Sequence, residues 1–554
     1  MAISLPSLSK TPPWVAGWIV FVLAFDLAFF WQHAGDAYHS EFGGHPDEAA
    51  HVVTGLFVHD ALVEAGHYAR EGFHGPVVET GKRFADDYYA HYPKIGLGVW
   101  PPFFYLVQSA WTLALGASPM TLLLLMAVLA GQLGVFVYRA LREEYGVLAS
   151  SLGVVLVLSL PVVRNYYGMV MAETLSALLM LGAMLAFGDF LDRERKGDAI
   201  WFGVFAALAI LTKGTGLALA LAAPLALLWT RKLHLLKRPA LWAAVLIVVI
   251  FAGPWTWATR HLGAGGWDQT SPSWGFTREA LPYYGRKLAL ALGVGALPLF
   301  VFGLVVKLRS AGTHRGRWAA CAGLIVAIVV FQSLAPVGRE DRHLIPALPA
   351  ACMFAIAGLC AVEEWWRRRR SSEPAAAAAG TSMRPGLIFG LGAVLLLAPP
   401  LASAPRASKG WYGFASLAEA LLSEAPPEAV TLVSSDATGE GMFIAEVALR
   451  EERPGHVIQR ASKSLSSSNW SGSGYTPAFQ RDDEVLSFLL RSGITYIVLD
   501  DTVPPGKRRA HHEQLHRVIT GNPDRFFPVA ESEGSRSGEI QPLPIRLFKI
   551  VRKN

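Results

Sequence analysis

The stretch Arg231–Trp257, RKLHLLKRPALWAAVLIVVIFAGPWTW, decides the fold class of this protein. It begins with a basic cluster, Arg231–Arg238, and continues into the apolar run Ala240–Trp257, which contains no charged residue. An α-helix needs roughly 20 apolar residues to cross a bilayer. Short loops rich in Lys and Arg lie on the cytoplasmic side. The stretch therefore predicts a membrane-spanning helix whose first end is cytoplasmic.

Runs of the same kind recur through the first 401 residues and predict a polytopic α-helical membrane protein. They lie at Trp14–Trp31, Pro102–Leu115, Met120–Tyr138, Val147–Val163, Val170–Leu191, Ile200–Leu211, Gly214–Trp229, Ala240–Trp257, Leu288–Val306, Trp318–Leu334, Ile345–Val362 and Leu387–Leu401. A cytoplasmic N-terminus and an external C-terminal tail require an odd number of spans. We therefore expect about 11–13 helices and place the discrepancy between Pro101 and Trp229.

The composition supports this class. Hydrophobic residues make up 52% of the 554-residue chain and charged residues 17%, whereas soluble domains are about one quarter charged. Of the 92 charged residues, 36 lie in the last 153. These values exclude a soluble globular enzyme, a disordered protein and a fibrous repeat. The net charge of +6 comes from short loops and does not indicate nucleic-acid binding.

The charges of the loops predict which segments lie outside the cell. The basic segments Arg231–Arg238, Lys307–Arg317 and Arg367–Arg370 are typical of cytoplasmic loops. His33–Trp100, Thr259–Arg286 and the tail are then external. We interpret the run Trp14–Trp31 as a retained first helix rather than a signal peptide, because it is longer than a usual signal sequence and many spans follow it.

The tail predicts a small α/β domain outside the membrane. Val430–Ser434 and Ile494–Asp500 have the composition of buried strands, and Glu484–Arg491 is typical of a helix that stops at Gly493. Ser462–Gly474 is rich in Ser, Gly and Asn and indicates a loop.

These patterns divide the chain into a transmembrane domain over residues 1–401 and a soluble domain over residues 402–554. Arg367–Pro385 is predicted to be a low-complexity cytoplasmic linker. Cys321, Cys352 and Cys360 lie in apolar runs and give no sign of a disulfide framework.

The first external segment, residues 33–100, carries the most informative charges. Pro46, Asp47 and Glu48 can begin a helix, which places His51 on the same face as Asp47. A carboxylate just above the bilayer can deprotonate an incoming hydroxyl or amine. Equally, Asp47 and Glu48 can do no more than stabilise the start of the helix.

Further charges at or within the membrane allow two interpretations each. Lys94 either extends its amine from a helix end to the interface or binds a lipid phosphate. Arg342 and His343 form part of a predicted external loop, and Lys213 lies between two apolar runs. The intramembrane acids Asp26 and Glu173 are either functional or paired with a neighbouring helix.

The order of short motifs along the chain resembles a known family. It runs from Pro46-Asp47-Glu48-Ala49 through Tyr92-Pro93-Lys94 and Trp100-Pro101-Pro102 to Leu211-Thr212-Lys213-Gly214, Pro254-Trp255 and Arg342-His343-Leu344-Ile345-Pro346. It is similar to the bacterial glycosyltransferase family 39 group, which includes the lipid A aminoarabinose transferases and is related to protein O-mannosyltransferases. The resemblance covers most of the first 400 residues.

This resemblance implies a GT-C membrane fold and inverting sugar transfer from a polyprenyl-monophosphate donor. It assigns Asp47 as catalytic base with Glu48 as its partner in the acidic pair. Lys94, Arg342 and Lys213 are the expected ligands of the donor phosphate. His51, Tyr92 and His343 are candidate contacts to acceptor or sugar, and His343 stands where the family often has Tyr.

The resemblance leaves the need for a metal open. No cofactor is implied as required, and a divalent metal is conceivable with His45 and His51 as ligands. In the aminoarabinose transferases an acidic residue precedes the lysine, whereas here Pro93 does, which weakens a metal site.

The implied partners are a polyprenyl-phosphate sugar, membrane lipids and a lipid, glycan or protein acceptor, with no nucleic acid. The implied location is the bacterial cytoplasmic membrane, with the active site and tail on the outer side. A secondary transporter, a surface-polysaccharide polymerase or ligase, and a non-catalytic assembly protein are alternatives. Against the transporter, the chain has no evident internal repeat, and its ionisable residues cluster outside the membrane.

Overall fold

The fold is described from a computed structural model that covers residues 12–72, 76–263, 272–310, 312–371, 386–403, 409–468, 474–534 and 543–552. The chain forms two compact units. The first, the membrane unit, comprises Met1–Gln32, Met126–Gly168 and Ala172–Arg406. The second, the outer unit, comprises His33–Leu125, Met169–Met171 and Ala407–Asn554. The outer unit thus joins most of the first external segment to the tail.

Helices dominate the first 402 residues. In chain order they are α1 (Pro13–Ala34), α2 (Glu48–Arg70), α3 (Val77–His91), α4 (Phe103–Leu115), α5 (Pro119–Ser159), α6 (Pro161–Tyr167), α7 (Glu173–Arg193), α8 (Lys196–Thr212), α9 (Leu219–Thr230), α10 (Pro239–Ala258), α11 (Arg260–Gly263), α12 (Trp274–Arg309), α13 (Arg315–Leu334), α14 (Leu348–Ser371) and α15 (Leu387–Ala402). Short 3-10 helices lie at Gly214–Ala218, Leu233–Lys237 and Asp341–Ala347.

All twelve predicted apolar runs are helical over most or all of their length. In the described part of the chain, seven helices are long and apolar enough to cross a membrane. Two of them, α5 and α12, are broken by Gly146 and Gly293, whose φ angles are 76° and 70°. The break at Gly146 separates two runs that the sequence also separates, so α5 consists of two helical segments. The predicted total of 11–13 spans stays a prediction.

Small residues let the membrane helices approach closely. An added Cβ at Gly303 of α12 would lie 2.0 Å from the carbonyl oxygen of Phe354 in α14. One at Gly358 would lie 2.0 Å from the carbonyl oxygen of Leu299. Close backbone contact through small residues is a main source of helix association in lipid. The glycines therefore allow α12 and α14 to pack closely. The 3-10 helix Asp341–Ala347 directly precedes α14.

The tail folds around a five-stranded sheet. Its strands are β1 (Val430–Ser434), β2 (Val457–Arg460), β5 (Ile494–Asp500), β6 (Phe526–Gly534) and β7 (Leu543–Ile550), in the order β2-β1-β5-β7-β6. A separate pair consists of β3 (Ser466–Ser467) and β4 (Thr476–Pro477). The helices are α16 (Phe414–Glu424), α17 (Ala437–Arg450), α18 (Ala461–Ser464), α19 (Asp482–Arg491) and α20 (Ala510–Gly521), with a 3-10 helix at Pro505–Lys507.

Strands β2, β1 and β5 are parallel, whereas β7 is antiparallel to both β5 and β6. The register pairs Val430 with Val457 and Val433 with Val498. Parallel strands need crossover connections, usually helical, and α17 supplies the one between β1 and β2. The core contains Leu432 and Ile497 from the sheet, which are fully buried.

The tail confirms the predicted α/β class. Both predicted strands have the predicted bounds, and the predicted helix is α19. The loop expected over Ser462–Gly474 is wrong in part, because Ala461–Ser464 is helical and Ser466–Ser467 pairs with β4. Residues 469–473 of that loop, and most of the predicted linker Arg367–Pro385, lie outside the described residues. The domain boundary at residues 401 and 402 stays a prediction.

Candidate functional site

The acidic pair lies where the sequence predicts it, at the start of a helix. Asp47 is the residue before α2, and Glu48 is its first residue. The backbone N–H of His51 donates to the carbonyl oxygen of Asp47 at 2.9 Å, so Asp47 and His51 are one turn apart. In the described helix the Asp47 side chain makes no capping hydrogen bond. Capping therefore does not account for that carboxylate.

Glu48 is completely buried and surrounded by donors. Its Oε2 accepts from the backbone N–H of Gly44 at 3.0 Å, and its Oε1 accepts from that of Val170 at 3.1 Å. The ammonium of Lys409 donates to the same Oε1 at 2.8 Å. A buried carboxylate is tolerated when it is paired and hydrogen-bonded in this way. The Glu48 carboxylate is thus fixed in the protein interior by these three donors.

Asp47 has the opposite environment, because its side chain is 29% exposed. One of its carboxylate oxygens is 3.5 Å from Nδ1 of His45. That same ring nitrogen accepts a hydrogen bond from the backbone N–H of Asp47 at 3.1 Å. Adjacent acids in the sequence therefore differ: Glu48 is internal and Asp47 is accessible.

Lys94 is 7% exposed, and its ammonium donates to the carbonyl oxygen of Ala437, just after β1, at 3.1 Å. Burial, together with the nearby guanidinium of Arg460, lowers the pKa of Lys94 to about 8. The carboxylates of Glu440 and Asp47 act in the opposite direction. Lys94 is thus within electrostatic reach of Asp47, and its charge is sensitive to mildly alkaline pH.

His51 is enclosed by aromatic side chains. Its Nδ1 is 2.7 Å from the hydroxyl of Tyr105, and its ring stacks on Trp100 with centroids 4.2 Å apart. Phe104 contacts the ring edge-on. The GLGVWPPFFY motif, which the sequence places at the membrane interface, thus forms the surroundings of His51 one turn after Asp47.

Tyr92 is fully buried, and its hydroxyl joins the external segment to the tail. It donates to Glu451 at 2.6 Å and accepts from the backbone N–H of Gly455 at 2.9 Å. Asp60 forms a second link of this kind, since it binds Arg453 through both oxygens at 2.7 and 3.0 Å. Tyr92 therefore already has an anchoring role within the outer unit.

In the membrane unit, Lys213 and Arg342 meet at one carboxylate. Glu173, the first residue of α7, is 2% exposed. Its Oε1 lies 2.6 Å from the Lys213 ammonium and 3.4 Å from the Arg342 guanidinium. Glu340 pairs with Arg342 at 2.7 Å. Two predicted donor-phosphate ligands, distant in sequence, are thus neighbours, and Glu173 pairs across helices.

His343 follows Arg342 and is 8% exposed, with Nδ1 3.1 Å from the hydroxyl of Tyr284. Asp26, the other intramembrane acid, is exposed on α1. The described residues contain no group of three or more His, Cys, Asp or Glu side chains arranged to hold a metal ion. His45 and His51 are not members of such a group.

Sequence reasoning missed Lys409, which pairs with Glu48 from 361 positions away. It also missed the tail residues around Lys94, namely Ala437, Glu440 and Arg460. Each partner depends on tertiary topology, and none belongs to a local motif. A lone Lys soon after the last apolar run was the single available signal for Lys409.

Comparison with known proteins supports the family resemblance. Residues 99–257 match the family described as dolichyl-phosphate-mannose-protein mannosyltransferase. No curated protein matches the sequence.

Solved structures resemble the chain over nearly its full length. ArnT from Cupriavidus metallidurans in the apo state has a TM-score of 0.61 at 15% identity, covering 96% of this chain and 98% of that chain. The same protein bound to undecaprenyl phosphate gives 0.59 at 14%, with the same coverage. The Archaeoglobus fulgidus oligosaccharyltransferase tethered to an acceptor peptide gives 0.54 at 12%, covering 97% and 74%.

The matches confirm the predicted fold. At these identities a structural likeness establishes architecture, while substrate and residue roles must be argued from the site itself. The chain therefore has the predicted GT-C membrane fold of these solved structures, and its residues 99–257 are similar to the mannosyltransferase family.

Proposed function

We propose that the protein is an integral-membrane inverting glycosyltransferase that moves a sugar from a polyprenyl monophosphate to an acceptor at the outer face of the bacterial cytoplasmic membrane. The observation that carries this proposal is the accessible Asp47 carboxylate beside the internally held Glu48, with Lys94 in electrostatic reach. The GT-C fold of the whole chain supports the donor class.

Asp47 is the proposed base. The acceptor hydroxyl or amine transfers its proton to the Asp47 carboxylate as its oxygen or nitrogen attacks the anomeric carbon. The bond from that carbon to the phosphate oxygen breaks, and the polyprenyl phosphate leaves with the electron pair. Attack opposite the leaving group inverts the anomeric centre. Glu48, which is buried and already bonded, positions Asp47 and does not itself take the proton.

The leaving phosphate gains negative charge during transfer and needs cations. Lys94, Lys213 and Arg342 are the proposed ligands. Glu173 holds the last two at 2.6 and 3.4 Å, which keeps their charges balanced before the donor binds. Phosphate binding then exchanges one anionic partner for another.

The aromatic surroundings of His51 favour a sugar or acceptor contact near Asp47, and His343 with Tyr284 is the corresponding candidate in the membrane unit. A lipid, a glycan and a protein are all chemically suitable acceptors, since each offers a hydroxyl or amine. The donor prenyl chain is accommodated by the lipid bilayer and the membrane helices.

A reconstituted system tests the proposed class of function. Purified protein in proteoliposomes is given a panel of radiolabelled polyprenyl-phosphate sugars, with Asp47→Asn as the matched control. We expect labelled product or released sugar with the wild type and a loss of at least about 100-fold with Asp47→Asn. Accumulation of free solute inside the vesicles, with no cleavage of any donor, would favour the transporter instead.

A further inference from the structure

Lys409 of the tail places a positive charge next to Glu48, one of the two candidate catalytic acids. Lys409 and Glu48 are 1% and 0% exposed in their side chains, and the ammonium and carboxylate are 2.8 Å apart. The ammonium also lies 5.2 Å from the ring centre of Phe42. Both members of this pair belong to the outer unit.

The same short segment of the tail is bonded to the chain just before Asp47. The carboxylate of Glu41 accepts from the backbone N–H groups of Tyr412 and Ala415 at 2.8 and 2.7 Å. The backbone N–H of Glu41 in turn donates to the carbonyl oxygen of Gly410 at 3.2 Å. Residues 409–415 and 41–48 are therefore fixed to each other by several independent contacts.

The contact is so close that a side chain larger than glycine does not fit. An added Cβ at Gly44 would lie 2.7 Å from Cγ of Lys409 and 2.8 Å from Sδ of Met169. The stem of Lys409 thus passes directly over the backbone that leads into α2.

We propose that Lys409 is a positioning residue for the transfer reaction: its ammonium holds the buried Glu48 carboxylate in place, and so fixes Asp47 at the start of α2. This inference rests on the proposed function, in which Asp47 is the base. The tail then takes part in the reaction although none of its groups reacts.

The charge of Lys409 is the essential feature. The oxygens of Glu48 accept from two backbone N–H groups and one ammonium, and the ammonium is the only one of these three donors that carries a full charge. Without the ammonium, burial raises the pKa of such a carboxyl group. The carboxyl then binds a proton at low pH and remains an unbalanced buried anion at high pH.

The test compares Lys409→Met with Lys409→Arg and with Arg453→Met. The last is the matched control, because it also breaks a link between the tail and α2, at Asp60, away from Asp47. Transfer rate, donor Kd and melting temperature are measured at about pH 6 and about pH 8, on either side of neutrality.

We expect Lys409→Met to lower kcat on the order of 100-fold at the higher pH, since displacement of a catalytic group by about 1 Å has an effect of that size. The deficit shrinks at the lower pH, because a buried carboxyl group that lacks its cation is less costly when it binds a proton, and Lys409→Arg retains activity. Arg453→Met loses thermal stability, but its rate relative to wild type does not change with pH. The same deficit at both pH values, matched by Arg453→Met, would reduce Lys409 to a structural role and overturn the proposal.

The melting temperature keeps the two proposals separable. If the wild type transfers no sugar, the proposed function fails. The ion pair between Lys409 and Glu48 is independent of that result, so we still expect the melting-temperature deficit of Lys409→Met to grow with pH. The double variant Glu48→Gln/Lys409→Met removes the Glu48 carboxyl group but keeps its buried neighbours Glu41, whose pKa burial raises to about 8, and Glu446, which interacts with the Lys409 charge. The part of the pH-dependent deficit that comes from Glu48 therefore disappears. Its persistence there would refute the inferred link between Lys409 and Glu48.

Discussion

Replacing Gly441 by alanine displaces Lys94 with little effect on the fold. Gly441 lies inside α17, and an added Cβ would be 2.7 Å from Cε and 3.2 Å from Nζ of Lys94. An ordinary carbon–carbon contact is about 3.5–4.0 Å, so the end of the lysine must move by about 1 Å. The hydrogen bond to the carbonyl oxygen of Ala437, 3.1 Å long in the wild type, is then stretched or lost.

The expected effect of Gly441→Ala on stability is the balance of two opposing contributions, and its effect on donor binding comes from a third. Overpacking costs about 1–3 kcal/mol. The cost is at the low end here because the flexible end of Lys94 gives way and Cβ of Ala49, 3.3 Å from the added Cβ, must shift by only a few tenths of an ångström. Alanine in a helix gains about 1 kcal/mol over glycine. Net stability therefore changes by about 1 kcal/mol or less. A hydrogen bond to a charged group is worth about 1.5–3 kcal/mol, so the donor Kd rises by about 10- to 100-fold if Lys94 binds the phosphate.

The assay is donor binding to purified protein, followed by intrinsic tryptophan fluorescence, together with a thermal melt. Gly66→Ala is the matched control, because Gly66 lies inside α2 and an added Cβ there meets no described atom within 4 Å. The control should bind donor normally and be slightly more stable. If Gly441→Ala binds donor as tightly as Gly66→Ala, Lys94 does not bind the phosphate through the geometry described here.

Three further outcomes follow from the site. The ammonium of Lys94 is the form that binds phosphate, and its pKa is about 8 instead of 10.5. Donor affinity, measured by titration, should therefore fall as pH rises through about 8. Lys94→Met should abolish that dependence. Because this pKa is lower in the folded than in the unfolded protein, the same group makes stability rise with pH between those two values. Glu173→Gln, which removes the carboxylate shared by Lys213 and Arg342, should lower the free energy of unfolding by about 3–5 kcal/mol. Glu64→Gln, on the exposed face of α2, should change it by about 0.5 kcal/mol or less, and equal melts for the two variants would contradict the shared pairing. Tyr92→Phe loses the contacts to Glu451 and Gly455 and should destabilise the protein by about 1–3 kcal/mol, measured by chemical denaturation; an unchanged midpoint would exclude the anchoring role.

The parts of the fold that could be predicted are those with a local physical cause. Apolar runs must be helical in lipid because every backbone group needs an internal partner, and all twelve are. The buried strands β1 and β5 are rich in Val, Leu and Ile. In contrast, β6 is largely solvent-accessible along its length and carries Glu531 and Glu533, so it lacks that signal.

The candidate site was predictable in its residue types but not in its pairings. Pro46-Asp47-Glu48 marks a helix start in the sequence, and the structure places α2 there. The difference between the two acids depends on Lys409 and on a backbone N–H at Val170. Such partners are set by the course of the chain through space, which a single sequence does not encode locally.

The most direct test of the central claim is the release of polyprenyl phosphate from a bound polyprenyl-phosphate sugar, with water as the attacking nucleophile, by wild type and by Asp47→Asn. Donor Kd and melting temperature are measured on the same preparations. We expect both proteins to melt alike and to bind donor within about threefold, a difference of less than about 1 kcal/mol. The variant should release polyprenyl phosphate at least about 100-fold more slowly. Equal rates of release would contradict the assignment of Asp47 as the base.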